Sequence, residues 1–291
     1  MIFVLYFAIV LFSVTQSAST KLFNRHSANS TVFNVIKASA ALVFFALMAV
    51  GGFSFHLPTV LLGVLYGAAL SLSMYAGYKA LCLGPMALTS MLVSFSLLIP
   101  ILWGLLAWDE TLAPLRIVAL AFLLTAILLT NADNLIGKRV TPRVDAQKGK
   151  YALWLFFVGT TFLCNGVCSV LQKQHQILYP GAYSREFMLF AMLFCTVLFS
   201  VLALARLSPS EFKETKGKWL GVLSGVCNGL VGFLTLQLAG LENASILFPV
   251  ISAGTLLGAL LCGRFLFRER LKYNQYFALA FGMLAVILLK L

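Results

Sequence analysis

Apolar runs cover most of this chain, and turn residues interrupt them far more often than charges do. A run of about 20 apolar residues spans the hydrocarbon of a bilayer as a helix. Ten such runs can be drawn: Ile2–Ala18, Val32–Gly52, Thr59–Leu81, Met86–Ala107, Pro114–Asn131, Tyr151–Leu171, Phe187–Ala205, Trp219–Leu241, Ser245–Phe265 and Tyr273–Leu291. Breakers separate several of them, at Leu57-Pro58, Gly84-Pro85, Pro180-Gly181 and Ser208-Pro209. The longest polar stretch, Ala132–Lys150, divides the chain into residues 1–131 and 151–291 with five spans each.

The two halves carry related segments in the same order. Gly63-Val64-Leu65-Tyr66-Gly67 recurs as Gly221-Val222-Leu223-Ser224-Gly225, and Ala119-Leu120-Ala121-Phe122 recurs unchanged at Ala278-Leu279-Ala280-Phe281. Trp108-Asp109-Glu110-Thr111-Leu112 has its counterpart in Phe267-Arg268-Glu269-Arg270-Leu271. An odd number of spans per copy points the copies in opposite directions. The expected fold is therefore an all-α polytopic membrane protein of ten transmembrane helices in two inverted five-helix repeats, an architecture that places a solute site near mid-bilayer.

Composition narrows the class further. The residues are 61% hydrophobic and 10% charged, against about 25% charged in a soluble domain. The net charge of +12 would suggest nucleic acid for a soluble protein. Here it follows the positive-inside rule instead: counted loop by loop, every Lys and Arg except Arg116, Lys173, Arg185 and Lys290 falls on one side. This places both termini away from the cytoplasm of a cell (plasma) membrane. No basic residue precedes Ile2–Val14, so a retained first helix is expected rather than a cleaved leader. The six cysteines form no CxxC pair and read as small packing residues, with no metal and no cofactor.

Polar side chains inside spans are costly in lipid and should face a cavity or another helix. The first helix of each half clusters them near one end: Ser13, Thr15, Gln16, Ser17 and Ser19, then Asn165, Ser169, Gln172 and Lys173. Gln16 and Asn165 can each donate and accept hydrogen bonds, which suits a polar solute. Ser71, Tyr75 and Tyr78 fall at helical spacing on one face, with Tyr78 also fitting an aromatic anchor at the membrane surface. The eighth span lines up Gly221, Gly225, Gly229 and Gly232, a packing pattern, and adds Asn228 and Gln237 as solute-contact candidates. Ser94 and Pro100 in the fourth span, and Pro249 and Ser252 in the ninth, offer hydroxyls beside prolines that free backbone carbonyls.

Glu110 and Glu269, at equivalent places after the fourth and ninth spans, are expected to cap or anchor the next helix. Glu242, bordering a span, is the candidate coupling group. Mid-span carboxylates are missing, and His26, His56 and His175 are placed outside the spans or at their ends. That pattern favours exchange or facilitated movement over a proton relay. Lys21, Lys37, Lys79 and Lys173 could line an anion path, but snorkelling to the head groups is the preferred reading.

From Tyr75-Ala76-Gly77-Tyr78-Lys79-Ala80-Leu81, through Ala87-Leu88-Thr89-Ser90 and Leu97-Leu98-Ile99-Pro100, to Trp108-Asp109-Glu110-Thr111-Leu112, the sequence resembles the EamA-like family of the drug/metabolite transporter superfamily. Gly240-Leu241-Glu242-Asn243-Ala244 and Pro249 carry a weaker copy, and Lys37 stands where that family usually has arginine. The resemblance implies ten helices around a central cavity and solute transport by alternating access, read here as export of a small polar or amphipathic metabolite. An antiporter of anionic metabolites, such as nucleotide sugars or sugar phosphates, is the alternative. A membrane-embedded enzyme acting on lipid-linked substrates would need converging acids, histidines or a metal set, which the scattered acids do not supply. The expected partners are a small-molecule solute and the lipid bilayer, not nucleic acid, and assembly as a homodimer is compatible with the sequence.

Overall fold

The computed structural model describes residues 2–26, 30–83, 89, 92–111, 113–136, 148–206, 217–266 and 273–290. Among these residues there are ten α-helices and no strand: α1 (Ile2–His26), α2 (Ser30–Ala49), α3 (Leu57–Leu83), α4 (Leu98–Ala107), α5 (Pro114–Ile136), α6 (Lys148–Leu178), α7 (Ser184–Arg206), α8 (Lys218–Ala239), α9 (Ala244–Phe265) and α10 (Tyr273–Lys290). Helices close every backbone hydrogen bond within one segment, so a chain this apolar can place its backbone in lipid. Seven helices are long and apolar enough to cross a membrane, and Leu92–Ala107, Pro114–Leu129 and Tyr273–Leu289 are apolar over only 10–17 residues. Glu269, Gly84-Pro85, Ser208-Pro209 and residues 137–147 lie outside the described residues.

Several helices outrun the expected spans: α1 continues past Ala18 to His26 and α5 past Asn131 to Ile136. The sixth span does not stop at Leu171: α6 continues to Leu178. Hydropathy alone ended it too early, because Gln172, Lys173, Gln174, His175 and Gln176 form a polar run that nevertheless remains helical. Gln172, Lys173, His175 and Gln176 are all buried.

The chain forms two compact units, and each takes residues from both sequence halves: Met1–Ser71 with Leu171–Leu241, and Leu72–Val170 with Glu242–Leu291. In the first unit α1 packs on α8, and α2 packs on both α7 and α8. Glycine permits the close crossings. A Cβ at Gly63 would stand 2.6 Å from the Phe187 carbonyl oxygen, and one at Gly67 2.5 Å from that of Ala191, so α3 lies against the backbone of α7. The same relation joins α8 to α2, where a Cβ at Gly225 would overlap the Lys37 carbonyl oxygen and one at Gly221 would meet Ile36. Without water-driven collapse between helices in lipid, such close packing supplies the association.

In the second unit α5 packs along α10, while α9 packs on α10 and α4. Leu97, Ile101, Leu123 and Ile127 form its apolar core with Ala253 and Ala285. Phe122 and Phe281 stack with ring centroids 5.4 Å apart, and Ala119 and Ala278, one turn before each, are fully buried. A single 3-10 turn, Phe95–Leu97, precedes α4. Pro100 explains it: proline cannot donate to the carbonyl four residues back and its ring clashes there, so the preceding turn tightens. Pro249 lies inside α9 without ending it.

Glu110 caps a helix of the other sequence half, α9. Asp109 takes a left-handed backbone with φ 50°, and the Glu110 N–H returns to the Gly104 carbonyl at 3.1 Å. The carboxylate then receives two first-turn amides of α9, from Ala244 at 2.8 Å on Oε1 and from Ser245 at 3.3 Å on Oε2. Asn243 occupies the N-cap of α9 but makes no side-chain capping bond. Glu110 therefore does the work usually done locally, by accepting orphan amides and opposing the positive end of the helix dipole. Glu110→Ala is expected to cost about 1–2 kcal/mol, read as a lowered thermal midpoint, with Glu110→Gln recovering part of the loss through its remaining carbonyl.

Candidate functional site

Hydroxyls and amides behave differently along the polar ends of the first and sixth helices. The hydroxyls of Thr15, Ser17 and Thr20 bond the carbonyls of Leu11, Ser13 and Gln16 one turn back, and Ser169 does the same to Asn165. A short hydroxyl reaches its own helix and is satisfied there. The longer amides reach across. Gln16 Nε2 on α1 donates to Asn228 Oδ1 on α8 at 3.2 Å, and Gln172 Nε2 on α6 donates to the Gly232 carbonyl at 3.1 Å and the Tyr66 hydroxyl at 3.4 Å. Gln16 and Asn228, two of the sequence-predicted site residues, are thus brought into contact. Both are only half-buried, and their single shared bond leaves most of each amide's hydrogen-bonding capacity open to a solute.

Ser13 lies half-buried one turn before Gln16, and Gln237 is half-buried near the end of α8. In the second unit Asn165 Oδ1 accepts the Ser73 hydroxyl at 2.6 Å. Tyr75 is half-buried, with the Lys79 ammonium 5.8 Å from its ring centroid. Tyr78 is exposed, as an aromatic anchor would be, and so is Ser94. Ser252 and Glu242 are half-buried. Ser71, Tyr75 and Tyr78 lie on the continuous helix α3, with Ser71 in the first unit and the tyrosines in the second. Ser71 itself is buried and donates to Cys195 Sγ at 3.1 Å and the Gly67 carbonyl at 2.7 Å.

One expectation about charged groups changes, and one titratable group proves buried at its expected place. Snorkelling does not describe Lys37 or Lys173, each only 8% exposed. Among the described residues the Lys37 ammonium has no hydrogen-bond or carboxylate partner. His175 lies in the last turn of α6, at a span end as expected, and is fully buried there. It anchors a polar network that the sequence reading missed: His56, Thr59, Gln176, Ser184 and Glu186 surround it, and all but His56 are nine-tenths or more buried. The available signal was the run Gln172–Gln176, whose spacing places Gln172, His175 and Gln176 on one helical face. Their burial depended on the partners they meet.

Cys168, Cys195 and Cys227 are buried and Cys164 and Cys262 half-buried, all as free thiols. A groove of about 530 Å³ in the first unit is lined by Val35, Ile36, Val43, Phe44, Leu47 and Val222, with Ser39 its polar member. None of the sequence-predicted site residues borders it, and its lining is that of a surface meeting acyl chains.

These features define an all-helical, multi-pass membrane protein. No protein-family model matches the chain, and no curated protein matches it. A solved structure described only as "Crystal structure of protein" is similar over 99% of this chain and 97% of its own, with a TM-score of 0.77 and 15% identity. At that identity the likeness shows a shared fold.

Proposed function

We propose that this chain is a secondary transporter that moves a small polar or amphipathic metabolite by alternating access, as an exporter of the EamA-like kind. The observation that carries the reading is the pairing of polar side chains inside apolar helices. Gln16 joins the first helix of one half to Asn228 in the third helix of the other, and Ser73 joins the third helix of the first half to Asn165 in the first helix of the second. Polar groups at such depth hold helices together or meet a solute, and the half-buried state of Gln16, Asn165 and Asn228 favours the solute.

Two observations support inverted repeats. Phe122 and Phe281, the same residue of the two copies, stack on one another, as equivalent points beside a two-fold axis would. The Gly63/Gly67 crossing of α3 on α7 has a reciprocal partner in the Gly221/Gly225 crossing of α8 on α2. The asymmetry of basic residues supports a plasma membrane location with both termini non-cytoplasmic.

The antiporter reading is favoured by one observation, the buried lysine at position 37. For coupling, half-buried Glu242 is the candidate. If proton-gradient-dependent flux survives Glu242→Gln, that role belongs elsewhere.

A thermal-shift screen of the purified protein against a metabolite library tests the main reading. A ligand at 100 times its Kd stabilises the folded state by about 2.7 kcal/mol, and flux of that ligand in proteoliposomes must follow. Gln16→Ala and Asn228→Ala are each expected to weaken its binding by about 0.5–1.5 kcal/mol. A library that gives neither shift nor flux, or variants that bind like wild type, would overturn the assignment.

A further inference from the structure

His56 lies just before α3 and His175 in the last turns of α6, and one hydroxyl stands between them. Thr59 Oγ1 is 3.0 Å from His56 Nδ1 and 3.4 Å from His175 Nε2. A threonine hydroxyl has a single proton to give, so in the neutral state it donates to one ring and accepts from the other.

Gln176 decides the direction. Its Oε1 accepts the Gly181 N–H at 3.1 Å, so its Nε2 must be the donor end. That Nε2 donates to Ser184 Oγ at 3.0 Å and lies 3.3 Å from His175 Nδ1. His175 Nδ1 is therefore an acceptor and His175 carries its proton on Nε2. The chain then reads Gln176 N–H to His175 Nδ1, His175 Nε2–H to Thr59 Oγ1, and Thr59 O–H to His56 Nδ1. We infer that His56, Thr59 and His175 form a directed proton-binding site, in which His56 takes the first proton and a second on His175 releases the Gln176 clamp.

The aromatic rings around His56 favour that order. The His56 ring lies parallel to Tyr183 at 4.6 Å between centroids and edge-on to Tyr179 at 4.7 Å, and aromatic faces stabilise a cation. The buried Glu186 carboxylate accepts the Ser54 N–H and hydroxyl at 3.1 and 3.4 Å, two residues before His56. Among the described charged groups, His56 and Glu186 are those that act on His175. Arg185 is exposed and donates to the Met48 carbonyl. Lys173, two residues before His175, points to the opposite side of α6. Lys37 and Lys218 lie toward the far ends of α2 and α8.

The proton balance is simple. The first proton makes His56 an imidazolium with N–H at both ring nitrogens. Thr59 turns its own proton away and accepts from both rings. A second proton on His175 Nδ1 would face the Gln176 amide donor, so the amide must turn over and abandon Gly181. Gly181 (φ 67°) and Tyr183 (φ 52°) hold the left-handed backbone of the α6–α7 turn, which then loses its tie to Gln176.

The site stands apart from the transport reading, because proton binding is measured without any solute. The chain has three histidines, so the full-length protein in nanodiscs, with histidine as its one 15N-labelled residue, gives a spectrum that single His→Gln variants assign. At neutral pH His175 is expected as the Nε2–H tautomer. His56 should titrate first, and His175 only at a proton concentration at least about tenfold higher, with Gly181 amide exchange accelerating over the second step. Thr59→Val should narrow the separation. A Nδ1–H tautomer at His175, coincident titrations, or a separation unchanged in Thr59→Val would each overturn the assignment. Should Thr59→Val fail to fold, the wild-type tautomer and titration order decide.

Discussion

Lys37→Met is expected to stabilise the folded protein by about 1–4 kcal/mol, the gain that replacing a buried ion pair by apolar groups of similar volume can give. Lys37 is 8% exposed, packed where α2 meets α7 and α8. Desolvating an ammonium costs free energy that a close carboxylate or several hydrogen bonds must offset, and the described residues provide neither. Methionine keeps the length and flexibility of the side chain and fills irregular space well. Thermal unfolding in detergent reads the change, and a lowered midpoint would mean that Lys37 is compensated after all. Flux of the identified solute should be measured on the same variant. A more stable protein that has lost transport would show that the charge is kept for the solute, as the antiporter reading requires.

The opposite sign is expected at the helix crossings. Gly67→Ala and Gly225→Ala each drive a methyl group into a backbone carbonyl of the facing helix, and a backbone cannot move aside as a flexible side chain can. Overpacking of this kind costs about 1–3 kcal/mol, and Gly→Leu at either position should prevent folding. Gly159 is the control: nothing stands within 4 Å of a Cβ there, so Gly159→Ala should gain up to about 1 kcal/mol from helix propensity. Expression, size-exclusion behaviour and thermal midpoint together separate these outcomes. If Gly67→Ala and Gly159→Ala behave alike, close backbone approach does not hold α3 to α7.

Particular residues show why some features were legible beforehand. The glycines of the eighth span declared their packing role because nothing but a close neighbour rewards a four-residue glycine spacing in lipid. Gln16 and Asn228 could each be nominated as costly polar groups within apolar runs, but their meeting joins residues far apart in the chain. The capping role of Glu110 could be read from its place at a helix boundary, and its target could not. Asp109 turns the chain so that the carboxylate reaches α9, in the other half of the sequence, and no local spacing encodes that reach. The burial of His175 at its span end was not legible because hydropathy scores a residue alone. A histidine beside two glutamines looks like an exposed span end until Thr59, Ser184 and the tyrosine rings are found around it.

What the amino-acid order determined by itself was the helical, membrane-crossing class, the succession of ten helices and the glycine faces. Each of these rests on composition and short-range periodicity, which the chain carries within about 20 residues. The three-dimensional packing decided which polar groups meet, which lysines are buried, and which helix each cap serves. These are matters of long-range contact and desolvation, and they are set only when distant segments come together.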